Sequence, residues 1–455
     1  MTDDTVLAAD RDAFERARDA LFARGPGRMI PDLARITELT GLLGDPQLAY
    51  PTVHVTGTNG KGSTVRMVAS LCAAVGISAG TYTSPHLQSI RERIGRAGEP
   101  IDPGSFARVH DEVAVIADLL DERARASGDA EPDTVTFFEM LTAMAFAWFA
   151  DAPVDVGVVE VGMGGRWDAT NVVRGDVAVL NEIDLDHTEL GGTPVEVAGE
   201  KVGIVKPGSH VVTSRQTDEV AAVIASAARE HDATLWRLGH EFDVTSDRVA
   251  MGGRFVDLRV GERVVTDVMV PLYGAHQARN AAVSLAAFAG FTGESFTSMD
   301  DDVLREGFAA VEVPGRLEVV HREPTIVLDG AHNPLGARAV AAALEESFGF
   351  RELVLVVACL EEKDVVGILS ELRTVASHVI VTRADSPRAM DVAGMHAAAL
   401  EVWESTGVAV EAADSVADAL DLATNLVSDG DGILVTGSLH TVGEARARHR
   451  PVDDA

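Results

Sequence analysis

Residues 52–75 hold three elements in immediate succession, and that succession limits the folds open to the rest of the chain. Thr52-Val53-His54-Val55-Thr56 reads as a short buried strand, residues 57–62 as a glycine turn, and residues 65–75 as a helix by their apolar spacing. A strand that runs through a glycine turn straight into a helix belongs to a mainly parallel α/β sheet. The same run can cradle phosphate, because glycines let backbone N–H groups approach phosphate oxygens and the helix start adds a favourable dipole. Lys61 can then reach the β and γ phosphates, and the hydroxyls of Ser63 and Thr64 can meet Mg2+. The run Thr56-Gly57-Thr58-Asn59-Gly60-Lys61-Gly62-Ser63-Thr64 departs from the common P-loop pattern in its glycine spacing and in placing Gly62 between Lys61 and Ser63. Its context therefore carries more of the phosphate reading than its pattern does.

Alternation continues beyond this loop. Strand-like runs at residues 154–161, 177–180 and 210–213 are separated by helical patterns at 136–149 and 193–205, after an amphipathic helical opening at 12–44. Residues 247–270 break the rhythm with two alternating runs around Val260-Gly261-Glu262-Arg263, a hairpin, before a helix at 276–291. A second alternation has strands expected at 325–328, 353–358, 378–382 and 432–436. At 455 residues the chain exceeds what one hydrophobic core usually supports, and Pro314-Gly315 interrupts the pattern between the two alternations. The expected fold is α/β: a P-loop parallel-sheet ATPase-type domain over residues 1–311, then a smaller doubly wound, Rossmann-like domain over residues 312–455.

Charge and composition narrow the partners. A formal net charge of −33 argues against a nucleic-acid or anionic-membrane surface, since phosphate backbones need clustered Lys and Arg. No apolar run approaches the ~18 residues of a membrane span, and the N-terminus opens on Asp3, Asp4 and Asp10, so a cytoplasmic protein is expected. Cys72 and Cys359 lie far apart in apolar stretches, without a second Cys or His at metal spacing, and read as core residues. Of the 38 basic residues only Lys61, Lys201, Lys206 and Lys363 are lysines. Where Arg serves everywhere else, a lysine points to a need for a compact ammonium or a reactive amine, a signal weaker at Lys206 and Lys363.

Further chemistry converges on the edge where the glycine loop emerges. Val158-Val159-Glu160 ends an apolar strand on a carboxylate, at the edge where open α/β sheets bind ligands, so Glu160 is placed to hold a metal. Asp184, Asp186 and His187 follow the next strand to the same edge, with His187 a second candidate ligand. Lys201 sits on a helical pattern expected to pack near this site, where desolvation eases loss of its proton and permits carbamylation by CO2.

The glycine loop, Tyr82-Thr83-Ser84-Pro85-His86-Leu87, the run from Glu160 to Asn171, Leu185-Asp186-His187-Thr188, Glu200-Lys201-Val202-Gly203-Ile204, Pro314-Gly315-Arg316-Leu317 and Asp329-Gly330-Ala331-His332-Asn333-Pro334 together resemble the folylpolyglutamate synthase and dihydrofolate synthase family, within the Mur ligase superfamily. The resemblance spans residues 51–441. It implies that Ser84, Glu160, His187 and Ser63 hold Mg2+, and that a carbamylated Lys201 helps bind a second ion. Asn59, Gly60, Lys61, Gly62, Ser63 and Thr64 would wrap the triphosphate of ATP, with Asn280, Arg316 and Asp329 touching ATP from the far side. Thr136, Phe137, Phe138, Glu139, Trp167, Asp168 and Ala169 match the family's places of contact with a dihydropteroate or folate substrate, although relatives carry Leu at the Trp167 position and Gly330 also departs from the pattern. His332 and residues 437–440 would face the incoming glutamate, with His332 counted among the catalytic residues beside Lys61, Lys201 and Arg316.

The implied reaction is phosphoryl transfer from ATP to a carboxylate, followed by attack of the L-glutamate amine on the acyl phosphate; such a step needs charge neutralisation more than covalent help. Substrates would be dihydropteroate, reduced folates and L-glutamate, and a monomer is the default. One rival is a Mur-type ligase acting on a peptidoglycan precursor, but only about 50 residues precede the loop, too few for a separate nucleotide-sugar domain. A P-loop switch or motor ATPase is the other, and Lys201 and the second α/β unit speak against it.

Overall fold

The computed structural model describes all residues except 1–2, 29, 129, 186–189 and 453–455, with residues 3–8 described by backbone alone. In chain order the first sheet comprises β1 (Thr52–Thr56), β2 (Ala79–Tyr82), β3 (Ile94–Arg96), β4 (Glu99–Pro100), β5 (Val156–Glu160), β6 (Val177–Leu180), β7 (His210–Thr213) and β8 (Thr234–Arg237). They lie in the order β4-β3-β2-β5-β1-β6-β7-β8; β3 and β4 are antiparallel at one edge and the remaining six strands are parallel. β1 is buried along its whole length between β5 and β6, as a central strand of a helix-covered parallel sheet is, and its polar Thr52, His54 and Thr56 each have a hydrogen-bond partner. Val55 pairs with Glu160 and Thr56 with Leu180, so β1, β5 and β6 all end at one place.

From that place the helix Lys61–Ala74 departs. Its N-cap, Gly60, has φ +83°, a left-handed conformation that a side chain would strain. Val65, Met67, Val68, Leu71 and Cys72 on this helix join the helix Ala275–Thr292 in one core cluster with the inward residues of β1, β5 and β6. Burial pushes the thiol of Cys72 up to about 12, and that of Cys359 likewise, so both cysteines are inert core residues.

A three-stranded antiparallel sheet follows: β9 (Phe242–Ala250), β10 (Gly253–Val260) and β11 (Arg263–Val270). The expected hairpin turns at Gly261-Glu262 as predicted, but β9 adds a third strand that begins earlier in the chain. The second large sheet contains β12 (Glu318–Arg322), β13 (Thr325–Leu328), β14 (Leu353–Val357), β15 (His378–Val381), β16 (Ala409–Ala412) and β17 (Gly432–Thr436). Its order is β12-β13-β17-β14-β15-β16, parallel throughout except β12, with helices on both faces: the doubly wound arrangement expected.

Differences from expectation have local causes. The helical opening is two helices, Asp3–Ala23 and Ala34–Leu42, because Gly25-Pro26-Gly27 stops the first, with Gly25 and Gly27 at φ +64° and +60°. β4, β8 and β16 escaped the pattern because they are sheet edges, partly or wholly exposed and lacking an apolar run.

His54 lies in the middle of β1 with no exposed surface, and burial pushes its pKa down to about 3, with the charge of Lys206 adding to the effect. The unfolded chain binds this proton below the ordinary value of 6.5 and the folded chain does not, so protonation favours unfolding as pH falls from about 6.5 towards about 3. We expect the stability gap between the wild type and His54→Gln to shift by about 2 kcal/mol against the wild type between about pH 7.5 and about pH 5, measured by urea unfolding. A gap independent of pH would contradict a neutral, buried His54.

Candidate active site

At the end of β1 the chain turns through Gly57, at φ +147°, whose carbonyl oxygen accepts hydrogen bonds from two lysines. Lys61 Nζ donates at 3.1 Å, and also to the Thr58 carbonyl at 3.3 Å; Lys201 Nζ donates at 3.0 Å from the end of the helix Pro194–Lys201. Lys201 is 2% exposed, so the packing expected from sequence is realised. Gly60 lies against the helix Ala275–Thr292: a Cβ there would stand 2.7 Å from Asn280 Oδ1, and 3.1 Å from Asn181 Nδ2. Asn181 Nδ2 in turn donates to Thr64 Oγ1 at 2.9 Å. Thr58 is tied to the irregular segment that follows β6 by its backbone bond to the Glu182 carbonyl and by reciprocal side-chain bonds with the Asp184 backbone at 2.8 and 3.0 Å. Asp186 and His187 lie outside the described residues.

Glu160 ends β5 beside this loop, only 4% exposed, with Oε2 3.5 Å from where a Gly62 Cβ would be. Ser84 N–H donates to Glu160 Oε2 at 3.2 Å. Burial lifts the Glu160 carboxyl above the ordinary carboxylate range, and the charges of Lys61, Arg316 and Arg66 together with the Ser84 N–H pull it back. Gly62, Ser63, Arg66, Ser84, Leu87, Glu92 and Glu160 line one wall of a cleft whose other wall is Val313, Pro314, Arg316 and Leu439. Among the described residues no three His, Cys, Asp or Glu side chains cluster as a ready metal site; the metal candidates brought together are Ser63, Ser84 and Glu160.

The residues expected on the substrate side lie on two elements, the helix Phe137–Asp151 with its cap and the segment that follows β5. The helix Phe137–Asp151 is capped by Thr136, whose Oγ1 accepts from Glu139 N, while Glu139 Oε2 accepts from both Thr136 N and Thr136 Oγ1. Glu139 also takes a two-oxygen contact from Arg35 Nε at 3.0 Å, so Thr136 and Glu139 serve first as the helix cap. Phe137 stacks on Phe22 at 5.4 Å, and the Arg93 guanidinium lies over the Phe137 ring. Phe138 and Asp168 meet over Gly162, where a Cβ would be 2.6 Å from the Phe138 ring and 3.1 Å from Asp168 Oδ2. Burial raises the Asp168 carboxyl, opposed by the hydroxyl of Thr170 and the N–H groups of Met163, Thr170 and Gly162. Ala169 is buried beside it, whereas Trp167 is 46% exposed.

Across the cleft, Asp329 directly follows β13 with both oxygens engaged, Oδ2 by Leu317 N at 2.9 Å and Oδ1 by Ala331 N at 2.8 Å. It thereby fixes the turn bearing Arg316, whose charge offsets the burial that raises the Asp329 carboxyl. His332 Nδ1 is 2.9 Å from the Gly330 carbonyl oxygen, and Gly437 N–H donates to the Ala331 carbonyl, so residues 332 and 437–440 stand together. Ser438 caps the helix Leu439–His449. Direct contacts join the two walls: Asn59 and Asn333 exchange amide bonds at 3.4 and 3.2 Å, Arg446 donates to Gln88 Oε1 while pairing with Glu318, and Gln88 Nε2 donates to the Arg450 carbonyl. Arg254 of β10, barely exposed, bridges Asp247 to Glu346 of the helix Pro334–Ser347.

Asn181, Arg66 and Glu92 were missed by sequence reasoning. Asn181 follows β6 as Glu160 ends β5, but an uncharged amide gives little signal. Arg66 stands three residues after Ser63 on one helix face, a periodic cue only. Glu92 accepts backbone bonds from Leu87, Gln88 and Ser89 and so shapes the Ser84 loop.

A family model described as Mur ligase middle domain matches residues 55–288, and one described as Mur ligase, glutamate ligase domain matches residues 315–439. The dihydrofolate synthase/folylpolyglutamate synthase of Mycobacterium tuberculosis is 44% identical over 441 residues, covering 92% of this chain and 90% of its own length. A solved structure of Mycobacterium tuberculosis folylpolyglutamate synthase complexed with ADP matches with a TM-score of 0.91 at 42% identity, over 97% of this chain and 99% of that one. Another, described as an FPGS-AMPPCP-folate complex, matches with a TM-score of 0.82 at 30% identity, over 96% and 99%.

The tightest point of the closure is Gly443, where an added methyl would overlap the Leu87 carbonyl oxygen although the helix itself favours alanine there. Gly443→Ala should therefore hold the cleft open without unfolding either wall. Small-angle scattering should show an increased radius of gyration with an unchanged circular dichroism spectrum; an unchanged radius would contradict the contact.

Proposed function

This chain belongs to the Mur ligase family, in its folylpolyglutamate synthase and dihydrofolate synthase branch, and from that premise we propose how its residues divide the work. It is an ATP-dependent carbon–nitrogen ligase that joins L-glutamate to folates, and it binds ATP. The reading of a peptidoglycan-precursor ligase rests on the superfamily likeness alone.

In our reading, residues 59–64 wrap the triphosphate, Lys61 neutralises its β and γ phosphates, and Asn280 lies against Gly60 to complete the nucleotide site. The γ-phosphoryl passes to the substrate carboxylate, and the glutamate amine then attacks the carbonyl carbon of the acyl phosphate and releases phosphate. Arg316 and Asp329 act from the facing wall, Arg316 meeting the negative charge that builds on the phosphoryl oxygens. His332 and residues 437–440 receive the glutamate; Phe137, Phe138, Trp167, Asp168 and Ala169 receive the pteridine, with Thr136 and Glu139 holding their helix. A closed cleft excludes water from an intermediate that hydrolyses easily.

Ser63, Ser84 and Glu160 suit Mg2+: they are hard oxygen donors lining one cleft, and Glu160 is a buried carboxylate that a cation would stabilise. His187 would add a ligand, and a carbamylated Lys201 would serve a second ion, its remaining N–H still able to reach Gly57 O. Bound there, Mg2+ would offset charge on the transferring phosphoryl. Residues 1–311 and 312–455 form the two domains of this proposal, divided in the irregular segment between the helix Asp301–Ala309 and β12. A cytoplasmic monomer without nucleic-acid or membrane partners completes it; among the described residues no helix is long and apolar enough to cross a membrane.

The observation that carries this reading is the meeting of the glycine loop, Glu160 and Arg316 in one cleft between two α/β units. Its test is incorporation of L-[14C]glutamate with ATP and either dihydropteroate or tetrahydrofolate. Product with at least one of these is expected, and Lys201→Ala should lose it and regain part of it with added acetate. Product only with a UDP-muramoyl peptide would overturn the reading.

A further inference from the structure

His54 is the one titratable side chain of β1, between Val53 and Val55 and on the strand face away from the helix Lys61–Ala74. Its Nε2 lies 2.9 Å from Thr170 Oγ1, and Thr170 Oγ1 is in turn hydrogen-bonded to Asp168 Oδ1, a chain with no exposed member except the 8% of Asp168. His54 Nδ1 is buried with no partner. The proton positions follow from counting. Asp168 already accepts N–H groups on both oxygens, from Thr170 at 3.0 Å and from Met163 at 2.9 Å, so the carboxylate is an acceptor. Thr170 has one hydroxyl proton and gives it to Asp168, which leaves His54 Nε2 to donate. The atom left unpaired is then the Nδ1 lone pair; the reverse arrangement would strand a buried N–H, the rarer and costlier fault. A second strut joins the same elements two residues on, where Thr56 Oγ1 donates to the Gly164 carbonyl at 2.7 Å.

We propose that His54 is a positioning residue for the heterocycle end of the substrate, acting through Thr170 to set the Asp168 carboxylate and the loop 162–170 from the strand that also carries the phosphate loop. This rests on the reading above that Asp168 faces the pteridine. The imidazole touches no substrate atom. It fixes where the carboxylate stands relative to Phe138, and it ties that position to β1, so the two substrates are registered against one rigid strand.

His54→Leu keeps apolar bulk and removes the donor; Thr170→Val removes the hydroxyl at nearly constant shape. Each should raise the KM for dihydropteroate about tenfold, as the misplacement of one substrate-facing carboxylate allows, with the KM for ATP changed less than about twofold. His54→Gln, whose amide can donate, should recover most of the affinity. The double variant should be no worse than either single one, because one link already breaks the chain. An unchanged KM for dihydropteroate, equal rises for both substrates, or additive losses would overturn the proposal. Histidine-selective 15N NMR of the intact protein provides a readout independent of turnover and of folding in the variants: a protonated Nε2 with a bare Nδ1 is expected, and the opposite tautomer overturns the chain. Asp168→Asn separates the two claims, since an unchanged KM in that variant would remove the pteridine reading while leaving the tautomer test standing.

Discussion

One backbone oxygen, the carbonyl of Gly57, organises this site. It takes hydrogen bonds from Lys61 and Lys201, two of only four lysines in a chain with a formal net charge of −33. Each lysine arrives from a different helix, so the convergence pins the glycine loop to the element that packs over it. Anchored in this way, the loop presents its N–H groups as a fixed cradle and does not have to be ordered by the ligand. The left-handed Gly60 and the close approach of Asn280 and Asn181 leave no space for a side chain in that cradle.

The position of that oxygen depends on strand order. With β1 between β5 and β6, the phosphate loop, Glu160 and Asn181 leave the sheet side by side. A carboxylate buried there without compensation would be costly, and its neighbours Lys61, Arg66 and Arg316 supply the compensation. Arg316 comes from the other side of the cleft, held by the turn that Asp329 ties together. Glu160 therefore draws part of its compensation from across the cleft, through Arg316, which links the electrostatics of the site to the packing of Leu87 against Gly443 and of Arg446 against Gln88.

Much of this was legible in the sequence. Val158-Val159-Glu160 announces a strand with a charged end, and the four residues of β6, β7, β13 and the five of β1 and β17 fall where apolar runs placed them. Arg66 was not legible, because a single arginine on a helix looks the same whether it faces a cleft or water. The contacts that close the cleft were hidden for another reason: Gln88 and Arg446 are 358 residues apart, and such a pairing leaves no local pattern. Asp168 and Glu139 show the limit of motif transfer, since each is first of all a cap or turn anchor whose hydrogen bonds only the structure reveals. His187 lies outside the described residues and stays a sequence-based candidate.

The central claim is that the cleft activates a carboxylate by phosphorylation before the amine attacks. Labelling both oxygens of the substrate carboxylate with 18O and analysing the released inorganic phosphate by mass spectrometry tests it directly. One 18O atom per phosphate, with the other retained in the new amide, is the result the account predicts. Phosphate free of label would contradict it.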